Sequence, residues 1–582
     1  MAWRWRLISI LLWLPSFLND WNEPSRRHLL NPYYEEAFSI ASKQYRTAFH
    51  FQPPQNWLND PNVVYQQNQI GPMIYNGIYH LFYQYNPYSA KWGNITWGHS
   101  ISTDLINWTP LDLALRPSEP FDLQGCWSGS ATILPGNKPV ILYTGISESG
   151  HNVQNIALPK NISDPFLLEW VKPPYNPVMV AEGVKPTQFR DPSTCWLGKD
   201  GLWRTTVGAE DFEKKAKALL YRSKDFVKWT RAEQPLFSTN SSSMIECIDF
   251  FPVSAKRKRG LDGSTIESEE VKHVLKMGVF DNSHDYYLIG KYLEELDEFI
   301  PENVVEDDHR MWLRYDYGSF YASKTFFDAE KRRRVLWAWS NESDTISDDI
   351  VKGWAGVQTV PRTIWLDENG KQLVQWPVRE LESLRMEKVE LKDVEVSKGG
   401  LIEIKGVKAS QADIEVEFEL PELKKAELMY HDWKLDNAQM ACDQMCASVP
   451  GSIGPFGLLV LASHDLEEHT AIFFRVFKTS TGHAVLMCSD QRKSSLWPEL
   501  YKPAFGGFVS TDIKEGKISL RSLIDHSVVE SFGAGGRTCI TARVYPKLLL
   551  TGDAHIYVFN NGSETVKIKK LKAWEMAKAR IN

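Results

Sequence analysis

After its first residues the chain has no apolar run long enough to cross a membrane, so it offers no internal span. Cysteine is scarce: seven in 582 residues, an odd number that excludes a disulfide scaffold and leaves at least one thiol free. No Cys-x-x-Cys, no His-Glu-x-x-His and no His/Cys cluster occurs, so no metal site is expected. Positive charge is not in excess. The 66 Lys and Arg face 73 Asp and Glu, and the net charge of −7 argues against a nucleic-acid partner. With 43% hydrophobic and 24% charged residues the composition is that of a globular protein, which excludes a disordered or fibrous chain. Aromatic residues are abundant: 22 Trp, 22 Tyr and 27 Phe. Their flat faces suit sugars, although most are expected to fill a β-rich core.

The N-terminus places two arginines before Leu7–Leu18, an apolar stretch of about a dozen residues that has the form of a signal peptide. We take it as 1–25, with no Ala-x-Ala to mark the cleavage point. Six Asn-x-Ser/Thr sequons, at Asn94, Asn107, Asn161, Asn240, Asn341 and Asn561, agree with a secreted glycoprotein. Cys126, Cys195 and Cys247 sit among apolar or aromatic residues and read as buried thiols. Cys442, Cys446, Cys488 and Cys539 share the last third, where there is room for one bridge.

From about 48 to 375 short apolar and aromatic runs alternate with Gly, Pro, Asn and Asp, as in Ile78–Gln84, Pro139–Thr144 and Val335–Ser340. These are strands with turn signals between them, and helical periodicity is scarce. A second all-β pattern follows from about 390, with a clean alternation at Ile414–Leu420. Arg379–Leu391 is the expected helical linker. The charge runs Lys256–Arg259 and Lys331–Arg334 read as solvated loops.

Three acidic residues, far apart in sequence, each sit in a turn-like motif flanked by aromatic residues: Asp60 in Asn56-Trp-Leu-Asn-Asp-Pro-Asn62, Asp191 in Phe189-Arg-Asp-Pro192, and Glu246 in Met244-Ile-Glu-Cys-Ile-Asp-Phe-Phe-Pro252. A sugar hydrolase needs one carboxylate to attack, or to activate water, and a second carboxyl to protonate the leaving oxygen. An Asp-Pro alone is a turn residue; three such motifs in this order are more specific. Together with Gly125-Cys-Trp-Ser-Gly-Ser130, Tyr79–Pro87, Trp339–Ser343 and Leu523–Phe532, they resemble glycoside hydrolase family 32, and within it the plant cell-wall invertases and fructan exohydrolases.

That resemblance implies an all-β chain: a five-bladed β-propeller over 45–376, a linker over 377–390 and a β-sandwich over 391–582. By position it makes Asp60 the nucleophile, Glu246 the general acid/base, and Asp191 the carboxylate that holds fructose hydroxyls. It places Trp57, Asn59, Gln84, Trp92, Trp127 and Ser128 in the substrate pocket and pairs Cys442 with Cys488. Arg190 is expected to keep its neighbour Asp191 ionised. Both chemical steps use only carboxyls and water, so no cofactor is implied. The expected partner is fructan or sucrose, with room for a proteinaceous inhibitor and none for nucleic acid or a membrane. The short leader favours the cell wall or apoplast, with the vacuole as alternative.

Three departures from the family pattern matter. Val63–Ile70 intervenes before Gly71, where relatives run from Asn-Asp-Pro-Asn straight into Gly-Pro. These eight residues could line the pocket mouth, disturb Asp60, or come from a coding-sequence error. Ile245 replaces the family's Trp before the Glu, which would remove a flat surface beside the acid/base. Invertases also carry an Asp and a Lys just before His284–Tyr287 to hold the glucose of sucrose; here Phe280 and Ser283 stand in their places, with Asp281 adjacent. A site that hydrogen-bonds a hydroxyl discriminates more strongly than an apolar one. We therefore expect an exo-acting β-fructofuranosidase that prefers fructan to sucrose. The alternatives are a cell-wall invertase and a catalytically idle sugar-binding relative.

Overall fold

The computed structural model describes residues 43–62, 64–66, 74–265, 270–302, 306–430, 433, 437–513, 515–548, 552 and 554–581. The leader expected over 1–25 lies outside them. Among the described residues the chain is strand almost throughout, with two short α-helices, Ile346–Lys352 and Ala438–Gln444.

Five mainly antiparallel sheets follow one another along the chain. They start on the strands Asn56–Asn62, Gly125–Leu134, Phe189–Arg190, Ile245–Ser254 and Tyr321–Asp328. Each is a meander in which sequence neighbours are sheet neighbours, as hairpin-length connections dictate. The five starting strands also meet one another. Asn56–Asn62 touches both Gly125–Leu134 and Tyr321–Asp328, Phe189–Arg190 touches Gly125–Leu134, and Ile245–Ser254 touches Tyr321–Asp328. Beyond the fifth sheet's first hairpin the chain returns, and Trp354–Ala355 pairs in parallel with Asn56 and Trp57.

Four of the starting strands break register: between Leu58 and Pro61, Cys126 and Gly129, Glu246 and Asp249, and Tyr321 and Lys324. A bulge frees residues from the ladder and re-aims their side chains. Cys247 (φ 47°), Ala322 (φ 53°) and Asp191 (φ 62°) occupy left-handed backbone, rare outside glycine and common where a site requires it. The freed carbonyls of Cys247 and Ile248 still need donors. Two buried lysines supply them: Lys276 Nζ donates to Cys247 O at 2.9 Å and Lys324 Nζ to Ile248 O at 2.9 Å. Lys276 also donates to Ser323 O at 2.5 Å, so one ammonium caps two bulges.

The rest of the chain forms a six-stranded and a seven-stranded sheet around a shared core. Ile414, Val416 and Phe418 of one sheet pack with Phe456, Leu458 and Phe474 of the other, and the alternation read over Ile414–Leu420 holds. Cys442 and Cys488 are bonded, tying the Ala438–Gln444 helix to the strand Gly482–Asp490. Cys126, Cys195, Cys247 and Cys539 are buried free thiols, and Cys446 is a half-buried one.

Two local expectations need correction. The helical linker over Arg379–Leu391 is a 3-10 turn, Arg379–Leu384, followed directly by the strand Arg385–Val396, because pairing with Val566–Met576 outweighs helix propensity. Lys256–Arg259 is exposed as expected, but the second run is not a solvated loop. Arg333 and Arg334 lie on the strand Arg333–Ser340, with Arg333 paired to Asp328 and Glu380 and Arg334 buried against the Phe251 ring.

The two halves meet through buried charge. Asp525 accepts from the backbone N–H of Ala48, Phe49 and His50 at 2.6, 2.8 and 2.9 Å, and from His50 Nδ1 at 2.8 Å. His50 Nε2 lies 3.1 Å from Glu530, which also accepts from Val360 N and Arg362. Burial pulls the His50 pKa down, but the bonds and charges of Asp525 and Glu530 outweigh it and raise it to about 9. Because this folded value lies above the ordinary 6.5, the stabilisation is complete below about pH 6.5 and is lost as pH rises through 9. Asp525→Ala should therefore lower unfolding free energy by about 3–5 kcal/mol. In denaturant titrations the wild type should lose stability between pH 6.5 and 9, and His50→Gln should flatten that slope.

Candidate active site

The bulged ends of the starting strands bring Asp60, Asp191 and Glu246 together around the Cys247 thiol. Cys247 Sγ lies 3.5 Å from Asp60 Oδ2 and 3.3 Å from Asp191 Oδ2, while Cys247 N donates to Asp191 Oδ2 at 3.1 Å. Asp60 accepts from Asn59 Nδ2 at 2.9 Å and from Ser128 Oγ at 2.6 Å. Trp57 Nε1 in turn holds Asn59 Oδ1 at 2.9 Å. Glu246 accepts from Arg190 Nε at 2.8 Å and from Tyr321 Oη at 2.7 Å.

Burial, together with the Asp191 and Glu246 charges, pushes the Asp60 pKa up to about 6 against the bonds from Ser128 and Asn59. Asp191 is raised too, by burial first and then by Glu246. Burial among these carboxylates lifts the Cys247 thiol well above its ordinary value, so it stays protonated and acts as a donor.

Aromatic side chains wall the site. Trp57 packs edge-on to Trp339 at 5.6 Å, and Trp127 edge-on to Trp92, which is 52% exposed. Gln84 is buried, with no hydrogen-bond partner for its Nε2 among the described residues. The half-buried Phe280 ring covers the Arg190 guanidinium at 5.3 Å, and Ser283 is exposed at a left-handed turn (φ 53°).

The first half of the chain, residues 50–377, matches the Glycosyl hydrolases family 32 N-terminal domain, and residues 380–575 match the Glycosyl hydrolases family 32 C terminal. The chain belongs to glycoside hydrolase family 32. The insoluble isoenzyme 1 of β-fructofuranosidase from Daucus carota is 56% identical over 542 residues, covering 92% of this chain and 89% of that protein. A fructan 1-exohydrolase of Triticum urartu is 54% identical over 555 residues, covering 95% and 91%. Among solved structures, fructan 1-exohydrolase IIa from Cichorium intybus superposes with a TM-score of 0.89 at 50% identity, covering 93% of this chain and 98% of that one. A variant of that enzyme has been seen in complex with 1-kestose.

Within this family 32 chain several expectations change. Arg190 makes no hydrogen bond to its neighbour Asp191: its Nε and Nη2 both reach Glu246 Oε2 and Nη1 reaches Gln188, and its charge lowers the Asp191 pKa less than burial and Glu246 raise it. Asp191 leaves the strand in left-handed backbone (φ 62°), so its carboxylate meets Cys247 N while the guanidinium reaches Glu246. Ile245 is fully buried among Leu275, Met277 and Val279, so position 245 points into the core and not toward the Glu246 carboxyl. Asp281 accepts from Ser242 Oγ, Ser243 N and Ser243 Oγ at 2.9–3.1 Å, and so cannot rescue the missing charged pair. Of the inserted segment, Val64–Gln66 pairs in parallel with Ala131–Ile133; residues 63 and 67–70 lie outside the described set. Asp60 keeps both of its hydrogen-bond donors beside it.

Sequence reading missed Tyr321 and the thiol's position between the carboxylates, and gave Trp339, noticed only within a family motif, no place in the site. Tyr321 lies in no motif. Its only signal is the break after Gly318-Ser-Phe320, from which the strand aims it inward. The acidic cluster of metal-ligand size among the described residues, Glu342, Asp344 and Asp349, surrounds the Lys352 ammonium, which supplies its positive charge.

The raised Asp60 carboxyl makes the site a source of instability. At pH 7 the ionised group costs about 3 kcal/mol, the equivalent of roughly two pKa units. Asp60→Asn should raise the unfolding free energy by about that amount above pH 6. The difference should vanish below about pH 4, where Asp60 is protonated in both states. Unfolding midpoints measured from pH 4 to 8 check it.

Proposed function

We propose that the protein is a retaining β-fructofuranosidase that removes terminal non-reducing fructosyl units, with fructan preferred over sucrose. The observation that carries the reading is the convergence of Asp60, Asp191 and Glu246 at one pocket, each with distinct donors. Asp60, ionised above about pH 6, attacks the anomeric carbon while Glu246 hands a proton to the departing oxygen. Glu246, left as a carboxylate held by Arg190 and Tyr321, then takes a proton from the water that cleaves the fructosyl ester. Asp191, fixed by Cys247 N, and the Gln84 amide hold the sugar hydroxyls. The full donor set on Asp60 speaks against a catalytically idle relative.

The preference for fructan rests on the far side of the pocket. Phe280 presents a ring, Ser283 a short exposed hydroxyl, and Asp281 is engaged elsewhere. No charged pair is left there to hold a glucose. Overall identity, 56% to the Daucus carota β-fructofuranosidase and 54% to the Triticum urartu exohydrolase, does not separate the two readings, which rest on these positions.

The five sheets are read as the blades of a propeller, supported by the contacts among the starting strands and by that of Trp203–Glu210 in the third sheet with Ile245–Ser254 in the fourth, with the two later sheets as a sandwich. The domains are read as 45–376 and 391–582, the strand from Arg385 drawing the second boundary toward 385. We place the protein in the cell wall or apoplast. Asn94, Asn161 and Asn240 are exposed and suit glycan attachment. Asn107 is committed to Asp104 and to Arg580 N, Asn561 to Ala447 O, and the half-buried Asn341 to Glu342 N. A proteinaceous inhibitor remains part of the proposal.

Glu246→Gln should reduce kcat by about 10²–10⁴-fold with an unchanged melting temperature. Near-normal fructose release by that variant would overturn the acid/base assignment. Phe280→Asp combined with Ser283→Lys should raise sucrose hydrolysis relative to inulin hydrolysis by about tenfold or more. Fructose release from the two substrates side by side reads the ratio.

A further inference from the structure

Lys172 is nearly buried and Asp122 fully so, with side chains 8% and 0% exposed, and the two form an ion pair at 2.5 Å beneath the segment that enters the strand Gly125–Leu134. The Lys172 ammonium also donates to Arg116 O at 2.5 Å and to Ser118 Oγ at 3.1 Å, and it lies 3.8 Å from Cys126 Sγ. One Asp122 oxygen accepts from Ser118 N and Glu119 N, both at 3.0 Å. The other accepts from Tyr143 Oη at 2.6 Å and from the Cys126 thiol at 3.6 Å. Behind the carboxylate the second sheet leaves no room: a Cβ on Gly145 would come within 2.9 Å of Asp122 Cβ and 2.4 Å of Phe121 O. Charge-assisted bonds in so dry a place fix the path of 116–126 far more firmly than a surface turn would be fixed.

This segment leads straight into the site. The register of Gly125–Leu134 breaks between Cys126 and Gly129, so Trp127 and Ser128 sit on a bulge and take their direction from whatever holds its two ends. Cys126 is held by Asp122 through its thiol and by Ile95 O through its N–H at 2.9 Å. At the other end Gly129 N donates to Asn62 Oδ1 at 3.1 Å. Between them Ser128 Oγ donates to Asp60 at 2.6 Å.

We propose that Asp122, locked by Lys172, is a positioning residue for the chemical step: by anchoring Cys126 at the start of the bulge, it aims the Ser128 hydroxyl at the Asp60 carboxylate. The inference rests on the reading of Asp60 as the nucleophile. Asp122, Lys172 and Tyr143 direct their bonds to one another, to Cys126 and to 116–119, so their route to Asp60 runs through the bulge.

Neutralising both partners at once leaves neither charge buried alone, so Asp122→Asn with Lys172→Met is the variant expected to fold. Its kcat for fructose release from inulin, per folded molecule by near-UV circular dichroism, should fall by about tenfold or more. In a Ser128→Ala background the same two substitutions should lower kcat by less than about twofold, because the hydroxyl they aim is already gone. A purely structural role gives the same factor in both backgrounds, and that result would overturn the inference. An unchanged kcat in the Asp122/Lys172 variant, or in Ser128→Ala alone, would overturn it too. Where that variant does not fold, Cys126→Ala cuts the link at the bulge and leaves the ion pair in place. It should slow kcat by about fivefold, and Cys126→Ser, which keeps a donor to Asp122, should recover most of the loss; coincident rates for the two would count against the proposal. An Asp60→Asn enzyme with near-normal kcat would instead overturn the nucleophile reading beneath it.

Discussion

The two halves of this molecule are joined by a few charges that never meet water, and the rest of the structure hangs on them. One hairpin of the C-terminal half, Lys517–Asp525 and Val528–Gly533, carries Asp525 and Glu530. Asp525 grips the chain at 48–50, just before the first site strand, and Glu530 grips it at Val360 and Arg362, inside the fifth sheet. The beginning and the end of the five-sheet array are thus held by adjacent strands of one sheet. Removing one partner of such a network leaves a buried charge or donor uncompensated, a larger penalty than the net gain of the intact pair. The motif Leu523–Phe532, noticed in the sequence only as part of a resemblance, is this clamp.

The site follows a second constraint, that a sheet must be broken to aim side chains along its edge. Bulges at Asp60, Ser128, Cys247 and Ala322 turn the strand ends toward a common space, and Lys276 and Lys324 satisfy the carbonyls those breaks release. The cost appears as three carboxylates and a protonated thiol kept close in a poorly solvated pocket. Strain and repulsion of this kind are what a fold tolerates where chemistry is needed.

Much of this was legible in the sequence. The strand-and-turn punctuation gave the all-β class, and Asp60, Asp191 and Glu246 stood in motifs that the fold brings to one pocket. The clean alternation at Ile414–Leu420 became a strand with one face in the core. What could not be read was direction. Ile245 and Glu246 alternate in a regular ladder, but the chain alone does not say which of the two faces the core. Nor does adjacency reveal pairing: Arg190 stands next to Asp191 in sequence yet reaches Glu246, 56 residues away. Tyr321 was invisible because its role depends on a strand register set by residues far along the chain. The 379–391 segment misled because its helix-forming composition is overridden by a partner strand at 566–576.

The return of Trp354–Ala355 to pair beside Asn56 and Trp57 has a consequence for how the protein is made. The strand bearing Asp60 emerges early during synthesis but gains this flanking partner only about 300 residues later, and the Asp525 grip on residues 48–50 comes later still. Contacts so distant in sequence make assembly slow and leave strand edges bare in the meantime. The cluster of Asp60, Asp191 and Glu246 is therefore among the last features to be held on a nascent chain, and a polypeptide released before Asp525 emerges carries all three carboxylates without that grip.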